Sequence, residues 1–520
     1  MGKSFTLANN QNDALFELIK SLSKSEKRQF NLYVGRLGGN TDAKFFSLFK
    51  FLEKLKTYDE GQILENGIVT KQQLSNLKAH LYRQILISLR LNPAHQNIRI
   101  QIREQLDFAT VLYQKGLYKQ SLKLLDKAKS MAIENEEKNI AYEIVELEKV
   151  IETQYITRSI SSRADVLSEQ AKMLSQQNVI TSKLSNLSLQ LYSILLKTGP
   201  ARNDEEFAKI TTYFDARMPE FDFSTLGFRE KLWLYKAHVW KSFLLQDFLM
   251  CYKYSHKWMQ LFRGNTKLIS LHPVFYLKGK NYLLESLFLL KHFSKFKEEL
   301  NFFKAEIKSQ EIPLNSNTEL LIFQYYTANQ LHLHFLEGTF KEGEFLVKEI
   351  EQKIKKYASR LDNHHIVILY YKIACLFFGM GENRKCIAFL AKIIDSKNLQ
   401  AAEDLQCFAR VLNLIAHYEC GMDYHLEKQF KETYKFLLKM KNLQAVQKEF
   451  IISIKALSDV YPHQIKNEFK KIHVRLQKFE NHPYEKRAFL YLDILSWLES
   501  KIENTTIGEI IRKKATRLSR

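Results

Sequence analysis

The sequence predicts an all-α fold: a superhelical array of antiparallel helix pairs, an α-solenoid, preceded by an N-terminal helical capping domain. Three observations predict it. A helix–turn–helix signature returns every roughly 40–48 residues, the period of stacked helix pairs. Only 7 Pro and 17 Gly occur in 520 residues. Every proline (Pro93, Pro200, Pro219, Pro273, Pro313, Pro462, Pro483) sits at a plausible helix junction, which matters because proline inside a helix costs about 3 kcal/mol. Apolar residues also recur at helical spacing, as in Ile465, Phe469, Ile472, Leu476 and Phe479, with no convincing run of period-2 strands.

Residues 1–92 stand outside the repeat. Helices are expected near 11–21, 24–36, 42–55, 59–65 and 71–91, with Gly38-Gly39-Asn40 breaking the second from the third. Ser23…Glu26 and Thr70…Gln73 fit the capping box, in which a hydroxyl and a later carboxylate or amide satisfy opposite orphan N–H groups. Leu74, Leu77, Leu81, Ile85 and Leu89 share one face of the last helix. The reading is a bundle that covers the open end of the array. The alternative is a helix-turn-helix DNA reader with Lys71, Lys78 and Arg83 exposed.

Residues 93–440 carry the repeats. In the clearest copy Gly116 ends one helix, Tyr118 opens the next, and Ser121, Leu122, Leu125 and Ala128 follow at helical spacing. Further copies are Gln246-Asp-Phe248 with Cys251, Ser255 and Trp258, and Ser294-Lys-Phe296 with Leu300 and Phe303. Then come Gly338-Thr-Phe340 with Gly343, Val347 and Ile350, and Gly381-Glu-Asn383 with Cys386, Ile387 and Leu390. Gly421-Met-Asp-Tyr424 is a looser copy, and eroded ones fall near 157–162 and 198–203. The small residue closes a tight turn in a conformation a side chain resists. The aromatic fills the notch between paired helices, and the next small residue lets the backbones approach. Residues 441–520 are read as a C-terminal helical cap with a basic tail.

On these framework positions the chain resembles the tetratricopeptide-repeat superfamily in a degenerate, longer-helix form. The resemblance covers roughly residues 97–440 and implies an α-solenoid. The period exceeds that family's usual length, several copies lack the glycine, and the early Trp of the first repeat is missing. With Ser23-Lys-Ser-Glu-Lys-Arg28 and Ser496-Trp-Leu-Glu-Ser-Lys501, the whole chain also resembles large cytoplasmic proteins of the Bacteroidota, a likeness that implies no activity.

Lys plus Arg number 78 against 57 Asp plus Glu, a net charge of +21. Such an excess favours polyanionic partners. Candidate polyanion-binding residues are Lys466, Lys470, Lys471, Arg475 and Lys478 on one helix, and Arg512, Lys513, Lys514, Arg517 and Arg520 in the tail. The five cysteines (Cys251, Cys375, Cys386, Cys407, Cys420) are odd in number and lack C-x-x-C spacing. They read as buried small hydrophobes in a reducing cytoplasm.

No G-x-x-x-x-G-K-[ST], H-E-x-x-H or G-x-S-x-G occurs. Gly379–Lys385 superficially resembles a phosphate loop, but it joins two helices at a repeat turn. His332 and His334, and the adjacent His364-His365, diverge around a helix, whereas metal ligands want i, i+3 or i+4 spacing. No catalytic residue, metal or cofactor is therefore expected, and no run of 18 apolar residues suggests a membrane span. The expected function is a non-catalytic cytoplasmic scaffold or adaptor. A protein or peptide would lie in the groove lined by the first helix of each pair. Candidate groove residues are Lys236, Trp240, Lys278, Tyr282, Tyr325, Gln330, Tyr371 and His417. The alternative is an RNA- or DNA-associated protein using the basic helix and tail.

Overall fold

The computed structural model describes residues 13–36, 44–92, 97–154, 162–358, 360–395, 403–421, 423–439, 445–458, 461, 463–485 and 493–518. Every regular element among them is helical. The chain divides into two compact units, residues 1–174 and 175–520.

The first unit opens with α1 (Ala14–Ser21), α2 (Lys24–Arg36), α3 (Lys44–Lys54), α4 (Glu60–Glu65) and α5 (Lys71–Leu91), close to the bounds read from sequence. The long α5 packs on α1, α2 and α3 around a core that includes Ile19, Phe30, Phe49, Leu52 and Leu81. One predicted capping box forms: the Ser23 N–H donates to Glu26 at 2.5 Å and the Glu26 N–H to Ser23 Oγ at 3.2 Å. The other does not, because Thr70 caps α5 with extended backbone and no side-chain hydrogen bond. Lys78, expected on an exposed basic face, turns inward instead. It pairs with Asp13 and donates to the Tyr58 hydroxyl at 2.9 Å. Residues 38–40 lie outside the described residues.

A second core follows in the same unit. There α6 (Ile98–Gln114), α7 (Tyr118–Glu134) and α8 (Lys138–Gln154) pack in series around Ile102, Leu122, Leu125, Ile140 and Ile144. The α6–α7 turn explains the repeat signature. Gly116 has φ +74°, a left-handed conformation that strains any residue with a Cβ. That geometry lets the Gly116 N–H reach the Tyr113 carbonyl and the Leu117 N–H the Leu112 carbonyl, both at 2.9 Å. Two orphan carbonyls at the helix end are thereby satisfied. Ser121 is fully buried and its hydroxyl donates to the Ala109 carbonyl of α6 at 2.8 Å, which is the close backbone approach the small residue was expected to permit.

The boundary between units falls within α9 (Arg163–Thr198). The second unit continues with α10 (Asp204–Asp215), α11 (Phe228–Leu244), α12 (Phe248–Gln260), α13 (Thr266–Leu271), α14 (Pro273–Leu289) and α15 (Phe293–Lys308). After these come α16 (Ser316–Glu337), α17 (Glu344–Lys356), α18 (Asn363–Met380), α19 (Asn383–Ile394), α20 (Glu403–Glu419), α21 (Asp423–Lys439) and α22 (Ala445–Ser458). The chain closes with α23 (Ile465–Gln477), α24 (Ile494–Glu503) and α25 (Ile507–Leu518). Helices pair across tight turns: α11 with α12, α14 with α15, α16 with α17, α18 with α19 and α20 with α21. Alternate helices also pack on one another, α14 on α16, α16 on α18, α18 on α20 and α20 on α22.

The turns repeat the Gly116 geometry even where glycine is absent. Gln246, Lys291, Gly338, Gly381 and Gly421 all have positive φ. Behind Gln246, the Asp247 N–H reaches the Ser242 carbonyl at 2.9 Å; behind Lys291, the His292 N–H reaches the Leu287 carbonyl at 2.9 Å. One expected copy shifts: the turn assigned to Ser294–Phe296 is made by Lys291, and Phe293 opens α15. Phe296 is instead a fully buried core residue. Of the eroded copies, Gly199 makes a positive-φ turn, whereas residues 157–161 lie outside the described residues. Cys251, Cys375, Cys386 and Cys407 are buried, and Cys420 is half-buried.

The C-terminal helices do not form a core of their own. Phe469, Ile472, Leu476, Trp497 and Leu498 belong to one core that begins at Leu184. Besides α24, α25 packs on α16 and α18. Gly338, the left-handed C-cap of α16, meets Gly508 of α25 backbone to backbone: a Cβ on either would lie 2.5–2.6 Å from the other's carbonyl oxygen. Glu419 ties α24 to α20 by accepting from the Trp497 indole at 2.8 Å and from Lys501 at 2.5 Å.

Candidate functional site

The first helices α11, α14 and α16 place five of the eight expected groove residues at partial exposure: Lys236, Lys278, Tyr282, Tyr325 and Gln330. Trp240 is buried but joins them, its ring centroid 5.2 Å from Tyr282 in an edge-on contact. The Tyr192 ring of α9 also lies against Trp240, with centroids 4.8 Å apart. Burial raises the phenol pKa of Tyr192, Tyr282 and Tyr325. These hydroxyls therefore stay protonated and available as donors. The Trp240 indole N–H has no acceptor among the described residues.

Lys236 and Lys278 form the cationic edge of this ladder. Burial, and then the charge of Lys278, lowers the Lys236 pKa to about 8, while burial lowers that of Lys278. Lys236 sits 4.4 Å from the centre of the Trp233 ring. Neither ammonium shows an ion pair with a carboxylate among the described residues. Two partly desolvated cations side by side are electrostatically unsatisfied and favour an incoming anion.

The remaining two candidates are core residues. Tyr371 is 4% exposed, and His417 is 7% exposed with its Nδ1–H donating to the Asn413 carbonyl at 2.8 Å. Sequence placed them on the correct helices, but on the face that packs inward. Conversely, it missed Tyr192 and Tyr484. Tyr484 follows α23 and reaches back: its carbonyl accepts from Gln246 Nε2 at 3.0 Å and its hydroxyl donates to Asp204 at 2.5 Å. Its ring packs on the core that holds Trp240 and Tyr282. No local signal marks a residue whose importance comes from a partner 280 residues away in the chain.

The basic C-terminal set divides in two. Lys471 pairs with Glu468 at 2.9 Å, Arg475 with Glu449 and Glu468 at 3.3 and 3.2 Å, Lys513 with Glu503 at 2.7 Å, and Lys514 with Glu499 at 3.0 Å. Lys470, Lys478, Arg512 and Arg517 are at or near the surface without such partners among the described residues, as is Lys466. Arg520 lies outside the described residues. Among the described residues no helix is long and apolar enough to cross a membrane, and no group of three His, Cys, Asp or Glu gathers as metal ligands would. No known protein family, curated protein or solved structure matches the chain.

Proposed function

We propose that the chain is a cytoplasmic, non-catalytic scaffold or adaptor. In this reading its helix pairs stack as an α-solenoid related to tetratricopeptide repeats, and the face formed by α11, α14 and α16 grips a protein or peptide partner. The observation that carries the reading is the ladder from Lys236 to Tyr325. Three successive first helices present half-buried aromatics and two ammoniums that have no carboxylate partner among the described residues. An extended acidic peptide supplies what those groups lack: backbone carbonyls for the Tyr282 and Tyr325 hydroxyls, carboxylates for the lysines and apolar side chains for the rings. Stacked helix pairs present such surface continuously.

The test is affinity purification of the tagged full-length protein from its own host, with and without nuclease, beside a Lys236→Glu/Lys278→Glu double variant. The expected result is a protein partner that survives nuclease and is lost from the variant. A partner bound equally by the variant would overturn the role of the ladder. A second reading, binding of RNA or DNA, is favoured by Lys466, Lys470, Lys478, Arg512 and Arg517, which have no carboxylate partner among the described residues. Loss of all partners on nuclease treatment, with nucleic acid in the untreated half, selects it.

A further inference from the structure

We propose that the cavity beneath α25 is a binding site for an aliphatic monocarboxylate of the fatty-acid type. The cavity has a volume of about 390 Å³, within the ~300–1,000 Å³ of ordinary small-molecule sites. Phe288, Phe335, Phe340 and Phe378 form one side, and Ile511 and Ala515 of α25 the other.

The way α25 docks accounts for the space. The helix comes closest at Gly508, where its backbone touches that of Gly338. Ile507, Ile511 and Ala515 then face the cavity at successive turns. At Ala515 only a methyl group stands opposite the phenyl rings, so the layer is not filled there. The space is a cleft with an apolar floor that opens to solvent past a charged rim, and an apolar chain laid on that floor removes its phenyl surface from water.

The rim supplies the head-group chemistry. Four of its five charges are mutually engaged: Lys291 faces Glu480 at 3.9 Å, and Lys514 lies 3.7 Å from Asp493. Asp493 also accepts from Ser496, and Lys514 is held by Glu499 at 3.0 Å. The fifth charge is Arg517, which is exposed and has no carboxylate within ion-pairing distance among the described residues. The carboxylate of Glu503, which does feel the Arg517 charge, is already bound by Lys513 at 2.7 Å. An apolar chain in the cavity with one carboxylate on the Arg517 guanidinium satisfies both features, and the fork of Arg matches a carboxylate in two parallel hydrogen bonds. Because Lys291 and Lys514 are already engaged by Glu480, Asp493 and Glu499, a single carboxylate on Arg517 is the head group that the rim matches best. The site shares no residue with the Lys236–Tyr325 ladder.

The test is titration calorimetry of the full-length, delipidated protein with decanoate and, as the uncharged control, decan-1-ol. Decanoate should bind saturably at one equivalent and at least tenfold more tightly than the alcohol. Arg517→Glu should bring the acid to the level of the alcohol and leave the alcohol unchanged. Ala515→Leu should weaken both ligands and Ala515→Trp should abolish both, with helicity retained in each. Absence of saturable decanoate binding to the wild type overturns the proposal. So does unchanged affinity in both Ala515 variants, since the ligand would then sit elsewhere. Equal loss of acid and alcohol in Arg517→Glu overturns the assignment of the head group.

Discussion

Replacing Gly508 by alanine sets two physical effects against each other. In an exposed helix, glycine-to-alanine stabilises by up to about 1 kcal/mol, because alanine loses less backbone entropy. At Gly508 the new Cβ would lie 2.6 Å from the Gly338 carbonyl oxygen, well inside ordinary contact. The obstruction is backbone, held by the left-handed cap of α16 (φ +64°), so it cannot rotate away as a side chain could. The helix has to lift, and overpacking of this kind costs about 1–3 kcal/mol. The balance is a net loss of about 1 kcal/mol in the docking of α25, which is about fivefold in the open population. Amide hydrogen exchange reads that population helix by helix. Protection across residues 507–518 should fall about fivefold in Gly508→Ala, while α11 and α12 stay unchanged. Gly35→Ala is the control: Gly35 is an exposed residue of α2, a Cβ there meets nothing within 4 Å, and protection of α2 should rise. Increased protection of α25 in Gly508→Ala would refute the docking geometry, because it would show intrinsic propensity acting unopposed.

Acid should destabilise the second unit early. Burial, with nearby lysine or arginine charges adding to it, lowers the pKa of His238 and His272 to about 4. The unfolded chain binds these protons near pH 6.5, so their stabilisation is complete above about 6.5 and is lost as pH falls towards 4, at up to about 1.4 kcal/mol per pH unit per histidine. Glu206 and Asp362 have depressed carboxyl pKa values, so their contribution is lost only at lower pH. Melting curves at pH 7 and pH 5 should differ, and His238→Phe should shrink the difference; an unchanged melting temperature between those pH values would refute the burial argument. Glu419→Ala should cost about 1–3 kcal/mol by leaving the Trp497 indole N–H, 1% exposed, without its acceptor. Tryptophan fluorescence during denaturant unfolding reads this loss as an earlier transition. Gly116→Val should cost about 1–3 kcal/mol through strain at φ +74°. A Cβ there meets nothing within 4 Å, so the loss in a thermal melt of the variant reports mainly backbone strain.

The helices of the first 92 residues, the glycine turns and the buried cysteines were legible because each rests on local rules. Capping residues, apolar spacing and left-handed caps act within one or two turns of chain. Where a turn used Lys291 in place of glycine, the signature weakened and the reading slipped from Lys291 to Ser294. Part of the candidate ladder was legible for the same local reason: Lys236, Lys278, Tyr282 and Tyr325 stand at helical spacing on first helices. Which face of each helix turns outward is not local. Tyr371 and His417 share that helical logic and are buried, because the neighbouring helices that cover them are chosen by packing across the unit. The sequence by itself therefore determined helices, pair turns and period, since hydrogen bonds and propensities between near neighbours decide those. Only the tertiary structure decided that α25 lies on α16 and α18, that Tyr484 reaches Asp204, and that a phenyl-lined cavity opens opposite Ala515. Those outcomes depend on the volumes and contacts of residues far apart in the chain, which no periodicity records.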